Sequence, residues 1–260
     1  MKEIEPAKLN ADQQLTGQIR DFWSRNVNAE KLMGQDVSEH GRGSDAYFKD
    51  LEQQRFRSHR HLLPWIEEMQ VGRSVLELGS GVGLDTFIMA SRGLKVTAVD
   101  LTTVGISAVR QRFASSGLTG NFAVADACTL PFLDNHFDYV YSFGVLHHAA
   151  DTRKAINEAY RVLKPGGVAR IMLYHRHSIN EVVHRLTRVP FEDRDELCPV
   201  VRRFTIAEVR ELFSKFNHTE TFLAYAFGEG YGRLFNLTPR CLHDLLSRYF
   251  GWHIMISATK

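Results

Sequence analysis

One short run constrains this chain more than any other. Val75-Leu76-Glu77-Leu78 is an apolar segment of strand length that ends in Gly79-Ser80-Gly81-Val82-Gly83, and helical spacing follows from Leu84 to Arg92. Glycines between a buried strand and a helix let the backbone turn tightly and approach a ligand with no β-carbon in the way. The helix start adds unpaired N–H groups suited to an anionic group. The spacing then narrows the ligand. A dinucleotide fingerprint, G-x-G-x-x-G, needs its third glycine where Leu84 stands. The loop here reads G-x-G-x-G, and it lacks the Lys-Ser/Thr ending of a triphosphate-binding loop.

The pattern behind this loop repeats. VTAVDL at 96–101, FAVAD at 122–126, FDYVYSFG at 137–144 and VARIMLY at 168–174 predict strands. Helical stretches at 105–115 and 152–163 alternate with them, the second stopped by Lys164-Pro165-Gly166-Gly167. Such alternation implies a mostly parallel sheet covered on both faces. Strands at 218–226 and 252–258 complete it, after a helix at 205–216 that Thr205 and Glu208 start as a capping box. An insertion at 228–250 brings a helix of its own, 241–249. Ahead of the sheet lie a helix at 11–26, a polar loop with Gly34, Gly41 and Gly43, and a helical stretch from 46 to 69 broken at Pro64. The expected organisation is a helical cap over 1–70, a cofactor-binding core over 71–178 and a C-terminal part over 179–260 that finishes the sheet and shapes a substrate pocket.

Composition removes several classes. With 32 basic and 30 acidic residues the net charge is +2, so no global field favours nucleic acid. Cys128, Cys198 and Cys241 are widely spaced and form no CxxC pair. The opening residues lack the apolar run of a signal peptide, and no run of about eighteen apolar residues occurs. A cytoplasmic protein with no membrane insertion is expected.

Two carboxylates extend the reading. Asp100 ends the second strand, where it can accept hydrogen bonds from both hydroxyls of a ribose, and Asp126 ends the third, within reach of an adenine amino group. Together with the glycine loop, these residues make the run from Val75 to about Leu173 resemble the class I S-adenosylmethionine-dependent methyltransferases, in particular the ubiquinone and menaquinone methyltransferase subgroup. VLELGSGVG resembles the family's first motif, VTAVDL its second, and LKPGG the segment before its fifth strand. The resemblance implies a Rossmann-like α/β sheet of about seven strands with S-adenosylmethionine as cofactor and S-adenosylhomocysteine as product. By position, Gly79, Ser80, Gly81 and Gly83 would pass under the methionine part. Asp100 would hold the ribose, Leu101 would pack on the adenine, and Asp126 with Ala127 would face its edge. Phe143 would lie near the methionine moiety, and Glu77 close to the cofactor.

Methyl transfer from a sulfonium is an in-line displacement in which the protein chiefly aligns a nucleophile and excludes water. A hydroxyl acceptor gains from a base, and histidine suits that role at neutral pH. His147, His148 and His175 follow strands at the carboxyl edge of the sheet and are the candidates; no carboxylate pattern among them suggests a metal site. Arg55, Arg57, His59, Tyr47 and Phe48 precede the core, and one of these arginines is expected to meet the methionine carboxylate. Tyr225, Phe227, Tyr231 and Phe235 either line an acceptor pocket or pack a small core. The expected reaction is O- or N-methylation of a small molecule, with C-methylation of a quinone-like ring, or cofactor binding without catalysis, as alternatives. The fourth strand ends in SFGVLHH rather than the Asn/Asp-Pro-Pro-aromatic sequence of base-amino methylation, which disfavours nucleic acid as substrate.

Overall fold

The computed structural model describes residues 11–27, 30–32, 35–188, 197–228 and 231–260. The expectations that fall on 1–10, Gly34, 189–196 and 229–230 lie outside the described residues. The chain opens with α1 (Ala11–Arg25), a short ribbon of β1 (Lys31–Leu32) and β2 (Gln35–Asp36), then α2 (Asp45–Ser58) and α3 (Leu62–Glu67). Seven strands build the central sheet: β3 (Ser74–Leu78), β4 (Lys95–Asp100), β5 (Asn121–Val124), β6 (Phe137–Phe143), β7 (Leu163–Tyr174), β8 (His218–Ala224) and β9 (His253–Thr259). Between them run α4 (Leu84–Ser91), α5 (Thr103–Ser116), α6 (Thr152–Val162), α7 (Ile179–Thr187), α8 (Ile206–Leu212), α9 (Arg233–Leu237) and α10 (Arg240–Phe250).

The strand order is β5-β4-β3-β6-β7-β9-β8, and β9 alone runs antiparallel to its two neighbours. The chain steps outward from β3 to β5, then returns to place β6 against the other side of β3. That reversal makes a crevice at the carboxyl ends of β3 and β6, the place where open α/β sheets bind ligands.

Strand alternation sorts the side chains into two layers. Leu76, Leu78, Val140, Ile171 and Ile254 face α6 and α8 in one core. Val75, Tyr141, Phe143, Met172, Tyr174 and Met255 face α3, α4 and α5 in the other. By the same alternation Glu77 points to the second face, beside α4, and there it lies almost fully buried.

The structure corrects four local expectations. The break between α2 and α3 falls at His59–His61, not at Pro64. Pro64 sits in the first turn of α3, where a missing N–H leaves no helical bond unmade. Residues 164–167 do not form a separate turn: Leu163 already pairs with Phe137, so α6 passes directly into β7. The loop ahead of α2 contains the β1–β2 ribbon. The insertion after β8 holds two helices instead of one, α9 preceding α10.

Candidate active site

The glycine loop is held by the sheet and by one carboxylate. The Gly79 and Ser80 N–H groups both donate to the Val99 carbonyl, at 2.7 and 3.1 Å. Gly79, Gly81 and Gly83 all have positive φ, +77°, +51° and +79°. A β-carbon on Gly79 would run into the Val145 side chain, whereas one on Gly81 would meet nothing and enter the crevice. Asp100 Oδ2 accepts from the Gly81 N–H at 2.8 Å, and Oδ1 accepts from the Thr102 N–H at 2.8 Å and its hydroxyl at 2.7 Å. The Asp100 carboxylate thus fixes the loop as well as facing the crevice, and its oxygens keep further accepting capacity. Asp126 Oδ1 accepts from the Cys128 N–H at 2.8 Å.

These segments border a cleft of about 1050 Å³, including space open to solvent. Glu77, Gly79, Ser80, Gly81, Asp100, Leu101, Asp126, Ala127, Phe143 and His148 all line it. Gly83 stands just behind, at the start of α4, packed against Val109. Ile19, Trp23 and Val27, from α1 and the residues after it, form the remaining wall. The structure therefore puts α1 over the cleft, while Tyr47 and Phe48 pack in a core with Leu51 and Val82.

The three histidine candidates separate. His148 lines the cleft, edge-on to Trp23 at 4.9 Å between ring centres, and its Nδ1 lies 2.6 Å from the Val200 carbonyl. A carbonyl only accepts, so Nδ1 carries the hydrogen and Nε2 of the neutral ring is the basic nitrogen. His147 does not line the cleft: it is fully buried against Tyr174, 3.7 Å between centres, and desolvation holds it well below the usual histidine range. His175 is also drawn away, its Nδ1 3.0 Å from the Gly251 carbonyl.

Behind the cleft lies a network that sequence spacing gives no means of seeing. Arg55 Nε donates to Asp85 Oδ1 at 2.7 Å and Nη2 to Oδ2 at 2.5 Å, while the Tyr141 hydroxyl donates to Oδ2 at 2.8 Å. Thr86 donates to Glu77, whose carboxyl is pushed upward by burial first and by the Asp85 charge second. Arg55, expected to meet a carboxylate of the cofactor, reaches the cleft with its guanidinium already committed in a fork to Asp85. Arg57 instead approaches Asn236, at 3.3 Å.

A ring wall continues from Phe143. His59 and Tyr225 are parallel within 3° at 4.7 Å, and Tyr225 and His253 within 7° at 4.6 Å. Phe143 meets His253 edge-on at 5.2 Å, and His61 Nε2 lies 3.2 Å from His253 Nδ1. Tyr225 holds φ +62°, a left-handed conformation that costs a non-glycine residue about 1–2 kcal/mol. Phe227, Tyr231 and Phe235, by contrast, pack a small core with Ala226. Desolvation pushes His59 and His61 down to about 3 and His253 well below its usual range, so the wall is neutral.

Comparison with known proteins agrees with this geometry. Residues 76–171 match the family described as a methyltransferase domain. The chain is 29% identical over 214 residues to the ubiquinone/menaquinone biosynthesis C-methyltransferase UbiE of Cereibacter sphaeroides, covering 74% of this chain and 78% of that protein. It is 39% identical over 97 residues to the demethylmenaquinone methyltransferase of Clavibacter sepedonicus, covering 37% and 39%. In fold it resembles a Haloferax volcanii putative methyltransferase solved in complex with the activator Trm112, at a TM-score of 0.59 and 20% identity over 83% and 95% of the two chains. The domain match, the relatives and the fold together support a class I S-adenosylmethionine-dependent methyltransferase. Its sequence relatives include the C-methyltransferase UbiE and the demethylmenaquinone methyltransferase just named.

The cleft suits the cofactor on its own evidence. The Ser80 hydroxyl is buried there with no hydrogen-bond partner among the described residues, and Gly81 leaves its inner side open. Two carboxylates at or just after strand ends, Asp100 and Asp126, line the cleft. No cluster of three or more His, Cys, Asp or Glu that could hold a metal occurs among the described residues, and no described helix is long and apolar enough to cross a membrane.

Proposed function

We propose that the protein methylates a small, flat, partly apolar acceptor seated between His148 and the Phe143 ring wall. The glycine loop with Ser80 holds the amino-acid end of S-adenosylmethionine, Asp100 the ribose, and Leu101, Asp126 and Ala127 the adenine. Bound there, the cofactor supplies an activated methyl group. The chain's own residues do the rest. α1 closes the cleft through Ile19 and Trp23, excluding water. His148 Nε2 takes the proton of an acceptor hydroxyl or ring carbon, while the Val200 carbonyl fixes its tautomer.

The observation that carries this reading is the stacked aromatic character of the wall that continues from Phe143. Asp85, which lines the same cleft, is already matched by Arg55. A ring acceptor needs flat apolar surface, which His59, Tyr225 and His253 offer through Phe143. The relative named a C-methyltransferase, which matches 74% of this chain, favours carbon over the O- or N-methylation expected from sequence. The test is transfer of labelled methyl from the cofactor to a naphthoquinol, a simple phenol and a primary alkylamine, with the product bond identified by NMR. Methylation of the naphthoquinol ring carbon, lost in His148→Ala, is expected; methylation of the amine alone would contradict the reading.

A further inference from the structure

The C-terminal insertion carries a surface that the methyl-transfer site does not use. α7, α9 and α10 pack round one small core, contributing Ile179, Phe235 and Leu246 to it beside Ala226 and Phe227. The inner face of α10 is fully tied: His243 Nε2 donates to the Phe227 carbonyl at 2.8 Å, and Ser247 Oγ accepts from the Ala226 N–H at 2.9 Å. Its outer face is apolar too. Leu242, Leu245 and Tyr249 recur at i, i+3 and i+7 and are exposed, Tyr249 at 62%. On α9, Leu234 and Leu237 do the same, Leu237 at 79% exposure; on α7, Val182 and Leu186 do so, Leu186 at 77%.

Each stripe has an arginine beside it, one helical step away: Arg185 on α7, Arg233 on α9 and Arg248 on α10, all exposed. With Arg188 and Arg240, the described residues of these helices and their ends include five arginines against two carboxylates, Glu181 and Asp244. That surplus exceeds the net charge of the whole chain, +2, and Glu181 is itself paired with Arg203 at 3.1 Å. Exposed leucines and an interfacial tyrosine bordered by arginines fit the boundary of an anionic bilayer, which offers acyl chains to the first and phosphate to the second. A second copy fits less well, because a two-fold axis through the patch would set arginine against arginine.

We propose that α10, with the outer sides of α9 and α7, docks this enzyme onto an anionic lipid surface. The position is apt for a lipid-soluble acceptor. Arg60 stacks on Phe235 at 5.2 Å and Arg57 meets Asn236, so α9 abuts the α2–α3 corner that carries His59 and His61. Docking itself does not depend on the identity of the acceptor.

The experiment is flotation of the full chain with phosphatidylcholine vesicles, with and without roughly 30% phosphatidylglycerol. The wild type is expected to float with the anionic vesicles and at least about tenfold less with the neutral ones, more weakly at high salt. The triple substitution Leu242→Ser, Leu245→Ser and Tyr249→Ser is expected to abolish flotation while S-adenosylhomocysteine binding persists, which separates lost docking from lost folding. Arg240→Glu with Arg248→Glu provides a second variant, each arginine removed lowering affinity about fivefold or more. No preference for anionic vesicles, or flotation unchanged in both variants, would overturn the proposal. So would a wild-type dimer that the triple substitution dissolves without any effect on lipid.

Discussion

Asp85 shows how much of this site rests on single groups. It lies almost fully buried, and its charge is tolerable because Arg55 forks onto it and Tyr141 donates to it. Removing one partner of such a pair leaves an uncompensated buried charge, which costs about 3–5 kcal/mol. Arg55→Met is therefore expected to lower unfolding free energy by that amount in urea titration, and Arg55→Met with Asp85→Leu to recover most of it. A single substitution that costs less than about 1 kcal/mol would mean that the pair is solvated. The family resemblance made Arg55 one of two candidates for a cofactor carboxylate but gave no sign of Asp85, thirty residues on, as its partner. The ring wall was hidden for the same reason. Residues 59, 61, 143, 225 and 253 come together only because alternation on β6 and β9 and the α2–α3 corner aim them at one point. His147 and His148 were indistinguishable as neighbours in sequence, yet the turn after β6 buries both and lets only His148 line the cleft.

At the scale of elements, the helix-and-strand rhythm of the core was legible because four of its five strands are short apolar runs closed by glycine or a carboxylate. The Thr205–Glu208 capping box was equally legible: Thr205 Oγ1 accepts from the Glu208 N–H at 3.2 Å, and Glu208 Oε2 accepts from the Thr205 N–H at 2.7 Å. Thr205→Ala is expected to destabilise the protein by about 1 kcal/mol in a denaturant titration, with the midpoint shifted and the slope kept. A change in slope would indicate that α8 holds more than itself in place. The α2–α3 break was not legible, because Pro64 is a breaker within a helix but an ordinary residue in its first turn. The pair of helices after β8 was half legible: periodicity marked α10, whereas α9 is too short to show any.

The whole molecule should respond to acid through its buried histidines. His59, His61, His147 and His253 are held neutral in the fold, while in the unfolded chain each takes a proton below about pH 6.5. Their contribution to stability is complete above that pH and falls as pH drops toward 3, because the unfolded state then binds more protons. Glu77 acts in the opposite sense: its raised folded value favours the fold at low pH, and that contribution is lost as pH rises above about 4.3. Four histidines outweigh one carboxyl, so the thermal midpoint is expected to fall steadily between pH 7 and 5, less steeply in His61→Gln; a flat or rising midpoint would contradict the buried, neutral wall.

The central claim is that the cleft at the β3–β6 crevice is the cofactor site and that Asp100 organises it. Calorimetric titration of S-adenosylhomocysteine into the wild type and Asp100→Ala tests this most directly. Micromolar binding by the wild type, weakened at least about tenfold in the variant, is predicted, since the variant loses both the ribose acceptor and the anchor of the Gly81 N–H. Equal binding by the two proteins, or none by either, would contradict the account.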